Sequence, residues 1–177
     1  MLPGARLSFP DLWTAVAFKE SAPAFSATFL IPKGSPLAKK VEKDAIAALN
    51  EKFHGKGEVI FKQISGNKNK CCIQDGDASE YDGYAGMLAI RAKSTKRPTI
   101  IDRDKSPLTE ADGKVYAGCY VVGNIEFFGY DNTGKGLSAT FRGLQFDRDG
   151  DSFGGGTVAQ ADEFEDLGAG ADADDLS

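Results

Sequence analysis

Four cationic side chains lie close together in the middle of the chain, at Arg91, Lys93, Lys96 and Arg97. Residues two apart on a β-strand point to the same side, so the first two share one face of a predicted strand. The other two continue the charge through the following turn. Lys and Arg neutralise phosphates, and this spacing therefore predicts a surface for single-stranded nucleic acid. A solvated edge strand that carries lysines against aggregation is the alternative reading.

Aromatic rings near such a surface would stack on unpaired bases. Tyr84 lies just upstream of the cationic residues, and Tyr116 and Tyr120 share the polar face of a long predicted strand. Trp13 and Phe18 lie between two predicted strands and are weaker stacking candidates, since rings there more often close a core. The residues predicted to bind nucleic acid are Arg91, Lys93, Lys96, Arg97, Tyr84, Tyr116, Tyr120, Lys62, Lys68, Lys70, Arg142, Trp13 and Phe18.

The net charge of −5 argues against a polyanionic partner until it is mapped along the 177 residues. Seven of the 26 acidic residues lie within residues 159–177, which contain no Lys or Arg. The rest of the chain then holds 21 basic and 19 acidic side chains. The negative charge thus belongs to the C-terminal end, which indicates an acidic tail on a neutral-to-basic domain.

Two groups of side chains raise the question of a metal. Four acids cluster in a glycine-rich loop, where a flexible acidic turn is the commoner reading: Asp75, Asp77, Glu80 and Asp82. A zinc site would have to combine the three cysteines with the single histidine, without CxxC or HxxxH spacing: Cys71, Cys72, Cys119 and His54. We therefore expect no metal and no cofactor. The odd number of cysteines also argues against a disulfide framework.

The elements that must position the cationic residues are mostly strands. Apolar alternation or β-rich composition predicts strands at residues 6–9, 25–31, 84–93, 99–102, 115–130 and 137–146, with a brief extended segment at 59–64. The first strand is expected to end at Pro10, and a change of phase at Gly143 suggests a bulge. One helix is predicted, with Ser35 as its N-cap and Pro36 at its first position. The strand count fits a small barrel.

Several blocks of the chain, in one order, resemble the single-stranded DNA-binding proteins of tailed phages. They are RLSFPDL (residues 6–12), FSATFLIPK (25–33), AKSTKRPTIIDRD (92–104), VYAGCYV (115–121), FDRDGDSFGGG (146–156) and DEFEDL (162–167). The resemblance implies an OB-fold, a five-stranded Greek-key barrel, here with one inserted helix over residues 1–156. It also implies an acidic tail, residues 157–177, that contacts replication or recombination proteins. The predicted partner-binding residues are Asp162, Glu163, Phe164, Glu165, Asp166 and Leu167.

These observations predict a non-enzymatic protein that binds single-stranded DNA without sequence preference in phage replication or recombination. The tail has too few large apolar groups to offset its ordering entropy, so it is expected to be disordered. No signal peptide and no long apolar run is present, and a cytoplasmic protein is expected. Two other classes stay open: a metal-dependent nuclease using Asp75, Asp77 and Glu80, and a structural β-domain of a virion.

Overall fold

The structure is a computed structural model of the chain, and it describes residues 1–153. In chain order the elements are β1 (Leu2–Val16), β2 (Ala24–Pro32), α1 (Pro36–Phe53), α2 (Gly57–Ile64), β3 (Ile73–Asp75), β4 (Met87–Ser94), β5 (Thr99–Ile101), β6 (Tyr120–Asp131) and β7 (Lys135–Arg148). The protein is mainly β, as predicted, but residues 1–153 contain two α-helices instead of one. The predicted tail, residues 157–177, lies outside the described residues.

All seven strands belong to one sheet, in the order β3-β4-β2-β1-β6-β7-β5. An additional parallel pairing, between Lys93 of β4 and Thr140 of β7, closes β1, β2, β4, β6 and β7 into a ring. β5 also pairs in parallel with β7. The other pairings are antiparallel: β1 with β2 and β6, β4 with β2 and β3, and β6 with β7. Because side chains alternate along a strand, each strand of the ring has one face toward the interior and one outward.

The main hydrophobic core fills this ring and extends to the helices. Phe29 of β2 and Phe141 of β7 are among its largest fully buried side chains, and their ring centroids lie 5.8 Å apart in an edge-to-face arrangement. Gly123 of β6 lies against the Phe29 ring, where an added Cβ would come within 2.7 Å of Cε1. A glycine is therefore required at this position for packing.

The predicted helix is confirmed as α1, and its start agrees with the sequence signals. Ser35 is the N-cap, and its Oγ accepts a hydrogen bond from the Ala38 N–H at 3.1 Å. Pro36 occupies the first helical position, where a missing N–H has no cost. The helix packs its apolar side against the core through Val41, Ala45 and Leu49.

The prediction of an extended segment at residues 59–64 is wrong, because these residues form α2. Alternation in a strand would have placed Lys62 on the same face as Ile60 and Ile64. A helix instead buries Ile60 and Ile64, which are four residues apart, and leaves Lys62 exposed. The Gly57 N–H donates to Asn50 Oδ1 of α1 at 2.7 Å, which joins the two helices. Packing thus overrides the strand preference of β-branched residues.

The first strand does not end at Pro10, as was predicted, but continues to Val16. Ser8 pairs with Thr28 and Asp11 with Ser26, so β1 has one residue more than β2 between these two pairs. A bulge of this kind accommodates a proline that cannot donate to the ladder. The bulge also changes the direction in which the side chain of Phe9 points.

The remaining strand predictions differ from the structure mainly at their ends. β4 begins at Met87, and β6 begins at Tyr120 rather than at residue 115. The bulge predicted near Gly143 is confirmed, since the register of β6 and β7 shifts between the pairs Asn124–Gly143 and Ile125–Phe141. Neither helix within residues 1–153 combines the length and apolar character needed to cross a bilayer.

Candidate nucleic-acid interface

The predicted cationic residues lie together on the outward side of the ring. Arg91 and Lys93 are exposed on β4, and Lys96 and Arg97 are exposed in the turn that follows. We call these four residues the basic strip. Ile90 is fully buried on the opposite face of β4, so the strand fixes the direction in which Arg91 and Lys93 point.

The basic strip borders a flat, polar area of sheet. Across β4 and β2, Arg91 is paired with Thr28 and Lys93 with Ser26, and Thr28 is paired in turn with Ser8 of β1. We call the outward side of β1, β2 and β4 the outer face. Ser26 and Thr28 are partly exposed there, whereas Ser8 is buried beneath Tyr84, so the polar surface beside the cations lies on β2.

The charges of the basic strip are not neutralised by neighbouring carboxylates in the described part of the chain, where none of the four residues belongs to an ion pair. Arg97 places its guanidinium 5.4 Å from the centroid of the Phe25 ring. A cluster of four cations in the same region attracts phosphates and gives binding that weakens as salt is added.

Tyr84 is buried, whereas stacking on a base, its predicted role, requires an exposed ring. It is only 5% exposed and packs with Leu30 and Ala89 in a small second cluster on the outer face. Its hydroxyl donates to Ser8 Oγ at 3.0 Å, and burial raises the pKa of the phenol. The ring has no open face for a base because it covers apolar surface of β2 and β4. Tyr84 therefore anchors its loop to the sheet.

The exposed rings of the outer face are Phe9 and Tyr81, which were not among the predicted site residues. They are 54% and 59% exposed, and their ring centroids lie 4.8 Å apart at an interplanar angle of 75°. The buried Tyr84 ring supports both, with its centroid 5.3 Å from Tyr81 and 6.5 Å from Phe9. We call Phe9 and Tyr81 the aromatic pair. The signals in the sequence were the irregular Phe9-Pro10 pair and the position of Tyr81 just upstream of the cations.

The bulge in β1 explains how Phe9 reaches the surface. Its backbone has a φ of +45°, in the left-handed region that phenylalanine rarely adopts. Strained backbone of this kind persists only where the surrounding structure enforces it, and it is common at binding sites. The strain at Phe9 therefore marks this position as a candidate for function.

The loop that carries Tyr81 is anchored by an ion-pair cluster. Lys33 Nζ contacts the carboxylates of both Asp75 and Asp77, and these hydrogen bonds hold the pKa of each carboxyl below its usual range. Asp77 Oδ1 also accepts the Gly86 N–H at 2.8 Å. Two of the acids considered for a metal thus serve to shape the loop. No group of three potential metal ligands comes together among residues 1–153.

Tyr116 and Tyr120 are half-buried and already have partners. The Tyr116 hydroxyl lies 2.9 Å from Asp149 Oδ1 and accepts the Gly150 N–H at 3.1 Å. The guanidinium of Arg148 lies 4.3 Å from the centroid of the Tyr120 ring, and that of Arg6 lies 5.6 Å away. Stacking of these two rings on bases remains a prediction, and the neighbouring arginines add positive charge beside Tyr120.

The other predicted cations mostly have local partners. Lys62 of α2 pairs with Glu58 at 3.7 Å, and Arg142 of β7 pairs with Glu126 at 3.3 Å. Lys70 donates to the Thr133 carbonyl, and Lys68 is exposed in the loop after α2. Arg142 follows Thr140, the β7 partner of Lys93, by two residues and therefore borders the basic strip, whereas Lys62 lies on α2 and Lys68 and Lys70 lie in the loop after it.

The two weaker stacking candidates differ in exposure. Trp13 of β1 is half-buried and packs against the main core, as the sequence analysis considered more common for such a ring. Phe18 is 64% exposed in the connection between β1 and β2, with Lys19 Nζ 5.4 Å from the centroid of its ring. Only Phe18 therefore presents an open ring.

All three cysteines are free thiols, in agreement with the expected lack of a disulfide framework. Cys71 and Cys119 are buried, and burial raises the pKa of each thiol. A raised pKa disfavours the thiolate that zinc requires. His54, the fourth residue considered for zinc, ends α1 as its C-cap.

Comparison with known proteins identifies the family of the chain, and this family agrees with the nucleic-acid surface that the basic strip predicts. The whole chain, residues 1–177, matches the family described as Enterobacter phage Enc34, ssDNA-binding protein. Protein p50 of Acyrthosiphon pisum secondary endosymbiont phage 1 is 47% identical over 169 residues, which are 94% of this chain and 92% of that protein.

Two solved structures share the fold. One is the single-stranded DNA-binding protein of bacteriophage Enc34 in complex with ssDNA, with a TM-score of 0.72, 22% identity and coverage of 86% of this chain and 87% of that one. The other is gp2.5, a single-stranded DNA-binding protein encoded by bacteriophage T7, with a TM-score of 0.51, 15% identity and coverage of 95% and 100%. The matched family is one of single-stranded DNA-binding proteins and not of enzymes, which confirms both the resemblance and the expectation that the chain is not an enzyme. The chain therefore belongs to the family of single-stranded DNA-binding proteins typified by that of Enterobacter phage Enc34.

Proposed function

We propose that this protein binds single-stranded DNA on its outer face, without sequence preference, during phage replication or recombination. The observation that carries the proposal is that the basic strip, whose four residues form no ion pair within residues 1–153, lies on the same side of the ring as an exposed aromatic pair. Family membership and the fold shared with a structure described as a complex with ssDNA support it.

We also propose that the ring is an OB-fold barrel. The support is its connectivity: β1 pairs with β2 and β6, β2 with β4, and β4 closes in parallel on β7, which pairs with β6. OB-folds are five-stranded Greek-key barrels that bind oligonucleotides across their sheet. In this chain both helices are inserted between β2 and β4.

In this proposal phosphates contact Arg91, Lys93, Lys96 and Arg97, while bases face the aromatic rings. Contacts of this kind carry little sequence information, because every nucleotide has a phosphate and every base has a flat face. DNA must extend beyond the outer face if it is also to contact the remaining predicted residues, which are Tyr116, Tyr120, Arg142, Lys62, Lys68 and Lys70.

The acidic tail, residues 157–177, is proposed to compete weakly with DNA and to recruit replication or recombination proteins through residues 162–167. Phe153, the last described residue, lies beside the outer face with its ring centroid 4.3 Å from the Arg6 guanidinium. Eight residues lie between it and Asp162, which gives a reach of up to about 30 Å if fully extended. That length lets the seven carboxylates approach the basic strip from the same side.

Direct titration tests the proposal. Full-length protein is mixed with fluorescent single-stranded oligonucleotides of mixed and of uniform sequence, with and without Mg²⁺, at several salt concentrations. We expect retention without cleavage, similar affinities for the different sequences and weaker binding at higher salt. Cleavage would favour the nuclease alternative, and the absence of any binding would favour a structural protein of the virion. With single-stranded DNA in the infected cell as ligand, we place the protein in the host cytoplasm.

A further inference from the structure

A cavity of about 410 Å³ opens on the outer face beside the aromatic pair. Its walls include the apolar side chains of Phe9, Pro10, Tyr81 and Phe153. Concave sites of this size, lined by rings with a few polar groups, are typical places for small flat ligands. The cavity thus has the shape and the surface for a group larger than a phosphate.

The charge of the lining also argues against a phosphate. Asp11 and Asp82 both line the cavity, and no Lys or Arg is among its described lining residues. Two carboxylates repel a phosphate at this position, whereas carboxylate oxygens accept hydrogen bonds from the amino or ring N–H groups of bases, including the N3–H of thymine. The lining therefore fits a nucleobase better than it fits the backbone of the same strand.

The cavity lies a short distance from the basic strip. Tyr84 contacts both rings of the aromatic pair and is hydrogen-bonded to Ser8, and Ser8, Thr28 and Arg91 are neighbours across β1, β2 and β4. Two strand spacings, about 10 Å, separate Ser8 from Arg91. A single nucleotide strand that contacts the strip with its phosphates can therefore direct one base toward the cavity.

We propose that this cavity is a base pocket, in which one unpaired nucleobase stacks on the rings of Phe9 and Tyr81 while its flanking phosphates contact the basic strip. This inference rests on the proposed binding of single-stranded DNA and adds a position where the base itself contributes to affinity. The strained backbone of Phe9 holds the ring in place before DNA arrives, which lowers the entropic cost of binding.

The backbone of Phe9 also provides the right variant for a test. Glycine adopts a positive φ freely, so Phe9→Gly removes the ring and relieves the backbone strain in one change. Phe128→Ala, on β6, is the matched control, because that ring is 43% exposed and does not line the cavity. Melting temperatures of both variants establish that they fold.

Each protein is titrated with an oligothymidine and with an abasic oligonucleotide of the same length, which has phosphates but no bases. We expect Phe9→Gly to weaken binding of oligothymidine roughly 5- to 150-fold, the range for loss of one stacked base. Binding of the abasic strand should change little, and Phe128→Ala should leave both affinities unchanged.

An unchanged affinity of folded Phe9→Gly for oligothymidine would overturn the base pocket, and so would an equal loss on both strands. Tyr81→Ala gives a second, independent measurement with the same expected pattern. If the wild-type protein bound neither strand, the proposed function itself would fail. The two failures are therefore distinguished by the wild-type titration.

Discussion

Reversing two charges of the basic strip is the most informative perturbation of phosphate binding. Lys93→Glu and Arg97→Glu together change exposed side chains, so the fold should tolerate them. If each of the four cations contacts one phosphate, the strip contributes about −2.8 to the slope of log K against log salt, at roughly −0.7 per contact. The double variant should lose about half of that contribution.

This slope translates into a difference that is easy to measure. Between roughly 50 and 200 mM salt, the strip should account for an affinity loss of about 50-fold in the wild-type protein and about 7-fold in the double variant. Fluorescence anisotropy with a labelled oligothymidine gives both values. Lys39→Glu with Lys43→Glu is the matched control, since it makes the same charge change at exposed positions of α1.

The slope is the decisive quantity in this comparison. Both double variants lower the net charge equally, so a general electrostatic effect would weaken them alike. The slope of log K against log salt becomes shallower only where direct phosphate contacts are lost, so it should change in the Lys93→Glu, Arg97→Glu variant and not in the control. A slope equal to that of the wild-type protein would remove Lys93 and Arg97 from the binding site.

Three further predictions concern the loop, the core and the tail. Lys33→Ala should weaken DNA binding because it loosens the loop that carries Tyr81. The pKa values of Asp75 and Asp77 are lowered in the folded state, so the ion-pair cluster of the wild-type protein stabilises the loop fully at pH values above the unfolded-state pKa values. This stabilisation should be lost as the pH falls through the folded-state pKa values, which a measurement of binding against pH would show. Gly123→Ala places a Cβ against a core ring and should cost about 1–3 kcal/mol in denaturant unfolding. Removing residues 159–177 should tighten DNA binding at low salt, with a difference that shrinks as salt increases; equal affinities at low salt would contradict tail competition.

The sequence predicted those parts of the fold whose patterns are local. Alternation in β4 correctly placed Arg91 and Lys93 opposite buried Ile90, because one register determines both faces of a strand. The hydroxyl N-cap followed by proline correctly placed the start of α1. Both signals depend on neighbouring residues alone, so no knowledge of tertiary packing was needed.

The missed features depend on contacts between distant segments. α2 forms where Ile60 and Ile64 find a partner in α1, although their β-branched side chains favour a strand. Tyr84 becomes buried because it covers Leu30, which is more than fifty residues away in sequence. The exposed rings are Phe9 and Tyr81 instead, and their proximity exists only once the bulge in β1 and the loop before β4 meet. Sequence spacing contains none of these long-range relations.

Ultraviolet cross-linking followed by mass spectrometry tests the location of the DNA most directly. Full-length protein is irradiated with an oligothymidine, and the modified residues are identified by peptide sequencing. The account predicts cross-links at Phe9 and Tyr81, with fewer at Phe18 and none at the exposed Phe128 ring. Cross-links confined to Phe128 or to the two helices would contradict binding on the outer face.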